Sequence, residues 1–273
     1  SKQSVWLGQA LEVAADDLIY NGNLEMWKRM GRTLQLKMYN QTRLVDTGAK
    51  AKIQALITAQ NTIQSSAQDF QISFNSSASP ENRIPLFVND YITRLDNRIS
   101  LYFYNTLSGN NDPRIPYYIY NQQPGVFEGR ISGDPTNLAT FEDQDTRSFH
   151  GLYPAGGKFD DGSGGVTNGD MGEKGAGKYR MMTNAMRIFI EAEAVASLGV
   201  TGSASLDALF EQGIRESMKK VNELGVSPMS QGTIDTYVNN RMAEFTAADN
   251  TGKLRLVMME KYVLQFGNGM EQY

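Results

Sequence analysis

Apolar positions recur with helical spacing at both ends of the chain and lose that spacing in the middle. Trp6, Ala10, Val13, Ala14 and Asp17 fall near a helical repeat that Asn21-Gly22 stops. Asn23 stands where an N-cap belongs, and Trp27, Met30, Leu34 and Met38 follow at steps of three, four and four. This predicts a long amphipathic helix running to about Leu44, with Trp27 buried in its stripe and Lys28, Arg29, Arg32 and Lys37 on the solvated face. Asp46-Thr47 opens a further helix with Ile53, Leu56 and Ile57 on one side. Phe70, Ile72 and Phe74 then alternate with Gln71 and Ser73, a strand period. Residues Ile84 to Leu107 read again as helix, with Phe87, Tyr91 and Leu95 along one stripe.

Residues 108–178 carry turn and extended signals instead: Asp112-Pro113, Ile115-Pro116, Pro124-Gly125 and Asp134-Pro135. Tyr117 to Tyr120 has the makings of a short strand, and Gly156 to Gly177 is glycine-dense and almost free of apolar residues. Helical spacing returns with Met182, Ala185, Met186, Phe189 and Ala196, closed by Gly199. Ser205 caps the next helix, whose stripe is Leu206, Leu209, Phe210, Ile214 and Val221. Gly213 inside it costs about 1 kcal/mol in propensity, which marks a place where two helices approach closely. Thr233–Ala248 and Lys253–Phe266 complete the set. The expected fold is mainly α, built of stacked helix pairs over residues 1–107 and 179–273, with an irregular insertion at 108–178 holding a few short strands, all in one domain over 1–273.

Composition narrows the chemistry. The 273 residues include no Cys and one His, which removes disulfides, thiol nucleophiles and multi-His metal sites. A net charge of −4 gives no footprint for a nucleic-acid backbone. Gly172 to Lys178 satisfies GxxxxGK, but Tyr179 stands where a magnesium-binding hydroxyl is needed, so a plain glycine-rich loop entering a helix is the better reading. Asp160, Asp161 and Asp170 supply oxygen for a calcium ion without the spacing of a calcium loop, and a solvated acidic loop is favoured. Glu191 and Glu193, two apart on a helix, point apart and do not make a pair for glycoside hydrolysis. His150 has no recognisable acid or nucleophile beside it and reads as a loop residue. No cofactor is expected.

The loop-rich middle is dense in aromatics. Tyr104, Tyr118, Tyr120, Phe149 and Tyr153, with Asn105, Asn121 and Asp145 nearby, form a candidate ligand-binding set in which two or three exposed rings stack on sugar faces. Asp112-Pro113-Arg114 is read as structural: Pro113 fixes φ, Asp112 accepts backbone donors, and Arg114 clamps a carboxylate or carbonyls.

Several segments, in order, resemble the SusD/RagB-like family. The stretch Asp17 to Met38 is similar to its YxGDxxKWxKFANSLxLRLxxR helix, keeping Tyr20, Gly22, Trp27, Leu34 and Leu36. Ala51 to Ile57, with the stretch ending in Asp69-Phe70, resembles its next helix and strand. Asp112 to Tyr118 matches DPRxPxYF, and Glu191 to Ala194 matches part of EAYFLRAEA. Gly213-Ile214 with Ser217-Met218 fits GIxASM, and Phe266 to Glu271 fits the start of FxNGxEAWxEYRRTG. The resemblance implies a TPR-like helical scaffold and a non-enzymatic, glycan-binding lipoprotein on the extracellular face of the cell outer membrane. Its implied partners are an oligosaccharide and a SusC-like TonB-dependent transporter that it caps for nutrient uptake, as in Bacteroidetes. It also implies N-terminal and extreme C-terminal parts, with a lipid anchor, beyond this sequence. Three other readings stay open: a peptide-capturing member of the same family, a helical-repeat glycoside hydrolase, and an intracellular TPR-type scaffold. The last calls for a 34-residue repeat, which this sequence does not display.

Overall fold

The computed structural model describes residues 16–93, 97–123, 125–131, 146–160 and 174–268. The expected first helix as far as residue 15, Leu95, Pro124, Asp134-Pro135, Asp145, Asp161 and Asp170 lie outside them, and Asp17 lies at the start of a turn and not in a helix. The long helices are α1 (Leu24–Thr42), α2 (Ala49–Ala59), α3 (Leu101–Gly109), α4 (Asn184–Leu198), α5 (Leu206–Asn222), α6 (Gln231–Ala247) and α7 (Asn250–Leu264). Strands β1 (Phe70–Ser73) and β4 (Lys178–Met182) pair in one two-stranded sheet, β2 (Ile119–Tyr120) and β3 (Phe149–His150) in another. The fold is mainly helical with a few short strands, as the periodicity predicts.

Contacts divide the chain into two compact units. One holds residues 1–72, 180–213 and 248–258; the other holds 73–179, 214–247 and 259–273.

In the first unit, α1, α2 and α4 pack on one another. Asn23 caps α1 as its position predicts, its side chain accepting from the backbone N–H groups of Glu25 and Met26. The face that α1 buries differs from the predicted one. Thr33, Leu36, Lys37 and Asn40 are buried, whereas Leu34 and Met38 are exposed. Thr33 shows how a polar residue turns inward there: its hydroxyl donates to Arg29 O and accepts from Ile63 N at 2.8 Å, so that hydroxyl is paired both as donor and as acceptor. Trp27 is half-buried, edge-on to Tyr20 and Phe70.

Helix α4 is buried almost all round from Asn184 to Ala194. Its two glutamates reach different partners, in keeping with their spacing. Glu191 accepts from Arg187 at 2.7 Å and from the backbone of Ser203, and Glu193 pairs with Arg43 at 2.8 Å. Gly213 meets α4 closely: a Cβ there would lie 2.7 Å from the Phe189 ring.

In the second unit the predicted helix over Ile84–Leu107 is broken. A turn at Pro85–Phe87 passes into a π-helical turn at Val88–Thr93, and α3 starts only at Leu101. The backbone before α3 is engaged elsewhere: Arg130 N donates to Ile99 O and Leu101 N donates to Arg130 O. The glycine-rich segment also departs from expectation. Lys178 opens strand β4 and no helix, and Gly177 exchanges backbone hydrogen bonds with Phe74. A phosphate-binding loop requires a helix after its lysine, so this arrangement has the wrong geometry for one.

Candidate functional site

Around Asp112-Pro113-Arg114 the second unit buries a charged cluster. The Asp112 carboxylate accepts from Arg114 N at 2.9 Å, closing the turn that Pro113 starts. The guanidinium of Arg114, fully buried, forks onto Asp112 (2.6 and 2.9 Å) and continues to Glu260 at 2.9 Å and Ser217 Oγ at 2.8 Å. Arg241 donates to the other Glu260 oxygen at 2.9 Å and to Asn110 at 3.1 Å. Tyr237 OH lies 2.8 Å from Glu260 and 3.1 Å from Asp112. Burial opposes the charge on Arg114, but Asp112 and Glu260 more than offset it and hold its pKa well above the usual arginine range. Burial, with Glu260 and Asp112 beside it, pushes the Tyr237 phenol far up, so it stays a neutral donor. Two cations and two carboxylates thus balance in the interior. The structural role expected of Asp112, Pro113 and Arg114 is the one their geometry serves, and Ser217 of the GIxASM-like segment joins the same cluster.

Above it lies an open groove of about 540 Å³ lined by Asn111, Pro113, Ser230, Gly232, Thr233, Thr236, Tyr237 and Asn240. That volume lies within the usual range for small-ligand sites. Asn111 follows α3 in a left-handed conformation (φ 50°), which asparagine tolerates better than most residues. Ser230, just before α6, accepts from Thr233 N at 3.1 Å, and its hydroxyl lies 2.8 Å from that of Thr233. Asn111, Thr236 and Asn240 are exposed. The groove therefore offers hydroxyls and carboxamides over an apolar proline. Its one titratable lining group, Tyr237, is committed to the cluster beneath.

The five rings predicted to bind ligand sit elsewhere, and the exposure expected of most of them is corrected. Tyr118, Tyr120, Phe149 and Tyr153 are buried. Tyr118 stacks on Tyr153 at 4.9 Å and on Phe266 at 5.2 Å, while Tyr120 and Phe149 face each other across the β2–β3 register. These rings are dense in sequence because they build this unit's core. Only Tyr104 stays half-exposed, stacked on Phe127 with centroids 3.8 Å apart. Asp160 is buried and accepts from Asn121 N at 3.0 Å, so it is no solvated loop acid. Among the described residues no group of three or more metal-ligating side chains converges.

His150 is no lone loop residue. Its Nδ1 lies 2.7 Å from Oδ2 of the fully buried Asp90, whose other oxygen accepts from Asn97. Sixty residues separate Asp90 from His150, and nothing local signals the pairing. The groove was missed for a related reason: Asn111, Thr236 and Asn240 look like ordinary surface polar residues until α6 is placed beside the end of α3.

The comparisons agree on one family. The model of a SusD-like family, described as starch-binding and associating with the outer membrane, matches residues 4–273. No curated protein matches the chain significantly. Among solved structures, a chitin-binding SusD homolog from Flavobacterium johnsoniae is 21% identical with a TM-score of 0.72, covering 99% of this chain and 55% of that one. A SusD homolog from Bacteroides fragilis is 19% identical (TM-score 0.70; 96% of this chain, 58% of that one). One from Bacteroides thetaiotaomicron is 18% identical (TM-score 0.69; 96% and 53%). The chain thus spans about half the length of these relatives and shares the fold of that part. It belongs to the SusD-like family.

Proposed function

We propose that this chain is the ligand-holding part of a non-enzymatic outer-membrane surface protein. In this reading it captures a neutral oligosaccharide in the groove of Asn111, Pro113, Thr236 and Asn240, and the whole protein caps a SusC-like TonB-dependent transporter for import. The observation that carries the reading is the lining of the groove. Hydroxyls and carboxamides match the dense donors and acceptors of a sugar, and an apolar proline face suits its C–H surface. Glycoside hydrolysis needs two carboxylates flanking the bond. The lining residues include none, and Asp112 and Glu260 below are consumed by Arg114 and Arg241, which favours capture over cleavage. The family's description as starch-binding and the chitin-binding relative support a carbohydrate, and the same description supports association with the outer membrane.

The test is calorimetric titration with maltooligosaccharides and chitooligosaccharides. Saturable binding that is weakened in Asn111→Ala and Asn240→Ala, with unchanged melting temperature and no new reducing ends on incubation, is expected. Binding indifferent to both substitutions places the ligand elsewhere, and release of reducing ends makes the protein an enzyme.

A further inference from the structure

Helix α3 sits at the surface without a single charge. Residues 99–111, Ile-Ser-Leu-Tyr-Phe-Tyr-Asn-Thr-Leu-Ser-Gly-Asn-Asn, contain no Asp, Glu, Lys or Arg, in a chain where 21% of residues are charged. A surface helix ordinarily carries charged residues on its outer face. Here Phe103 and Leu107 point inward, and Tyr102, Asn105 and Gly109 are exposed at steps of three and four, with Thr106 half-buried beside them. At the far end this strip runs into Asn111, the groove's own amide. At the near end Tyr102 is 65% exposed and Tyr262, from α7, 42% exposed, their ring centroids 6.4 Å apart. The pair is seated from below, since Tyr262 stands edge-on to the buried Phe103 at 5.7 Å. Gly109 leaves the strip open: nothing lies within 4 Å of where its Cβ would be.

We propose that the outer face of α3 is a second binding stretch continuous with the groove, so that the ligand is an extended neutral oligosaccharide. Its leading end lies in the groove at Asn111, and its following sugars run along Gly109, Thr106 and Asn105 to a stacking platform formed by Tyr102 and Tyr262. This deepens the proposed function and rests on it. The occupant follows from two features together. The strip is continuous with a groove of hydroxyls and amides, and it offers rings, an amide and a hydroxyl with no charge for an ionic partner to pair with. From Tyr102 to Asn111 the backbone advances roughly 13 Å at the helical rise, a span longer than one sugar ring. Tyr104 and Phe127, closed on each other, leave no gap between their faces and are not part of the platform.

The experiment is calorimetry on the chain with maltooligosaccharide and chitooligosaccharide series from disaccharide to hexasaccharide. Affinity should rise with length. Tyr102→Ala should weaken the hexasaccharide roughly threefold to tenfold, the worth of one aromatic stacking contact, and leave the disaccharide unchanged, while Tyr102→Phe keeps most of the affinity. Tyr102 is exposed enough that the variant's melting temperature should match the parent's, and that match is checked alongside. If affinity does not depend on length, or if Tyr102→Ala leaves the hexasaccharide unaffected while Asn111→Ala weakens it, the stretch along α3 is overturned and the groove stands. If no oligosaccharide of any length binds the unmodified chain, the proposed function itself fails, and the extension with it.

Discussion

At Asp17 a single carboxylate gathers four donors. Ile19 N and Tyr20 N reach Oδ1 at 3.1 Å, and Gly22 N and the Trp27 indole reach Oδ2 at 2.8 Å. Positive φ at Asn21 (51°) and Gly22 (78°) folds the chain back to allow it. The Trp27 bond is the largest cause holding the carboxyl at about 2 rather than its ordinary 3.8. A carboxyl lowered on folding contributes stability that is fully present above 3.8 and is lost as pH falls toward 2. Trp27→Phe should therefore raise the Asp17 pKa toward 3.8 and flatten the acid dependence of the melting temperature. Side-chain carbon NMR and melts across that range check it, and an unmoved pKa would put the bond's weight on the backbone donors. Tyr20, Gly22 and Trp27 were legible as a motif; the carboxylate they serve was not, because its role appears only when the turn closes. Arg114 makes the complementary case. Asp112-Pro113-Arg114 announced a local clamp, and the structure adds Glu260, Ser217 and Tyr237 from more than a hundred residues away. Arg114→Ala leaves two buried carboxylates short of a partner, so it should cost about 3–5 kcal/mol in denaturant unfolding.

Among the elements, α4 and α1 show what periodicity can and cannot decide. The step of Met182, Ala185, Met186 and Phe189 located α4, but all of its first eleven residues are buried, including Glu191 and Glu193, because ion pairs with Arg187 and Arg43 make their burial tolerable. In α1 the apolar stripe failed to identify the inner face, since Thr33 satisfies a backbone donor there and Leu34 and Met38 face outward. Gly213 was read correctly from its cost alone. Its missing Cβ is the space that the Phe189 ring fills. Gly213→Ala should then destabilise by about 1–3 kcal/mol through overpacking, less up to about 1 kcal/mol of helix propensity. Adding Phe189→Leu should recover part of the loss. Urea midpoints of the two variants decide the matter, and a more stable Gly213→Ala would contradict the close approach of α4 and α5.

For the whole molecule, the family was readable because its motifs mark structural knots: the Asp17 turn, the buried Arg114 cluster and the α4 glutamates. The ligand surface was not readable, because sequence density of aromatics reports a core as readily as a platform. Tyr118, Tyr120, Phe149 and Tyr153 went inside, while an uncharged stretch ending at Asn111 lies outside. The net charge of −4 is carried away from the groove's lining, so affinity for a neutral glycan should be nearly flat with added salt, as titrations in low and high sodium chloride will report. The most direct measurement is a crystal structure of this chain with the longest oligosaccharide that binds it. The account predicts sugar density in the groove, with the carboxamides of Asn111 and Asn240 hydrogen-bonded to ring hydroxyls. Density at another surface, with the groove holding only solvent, would contradict it.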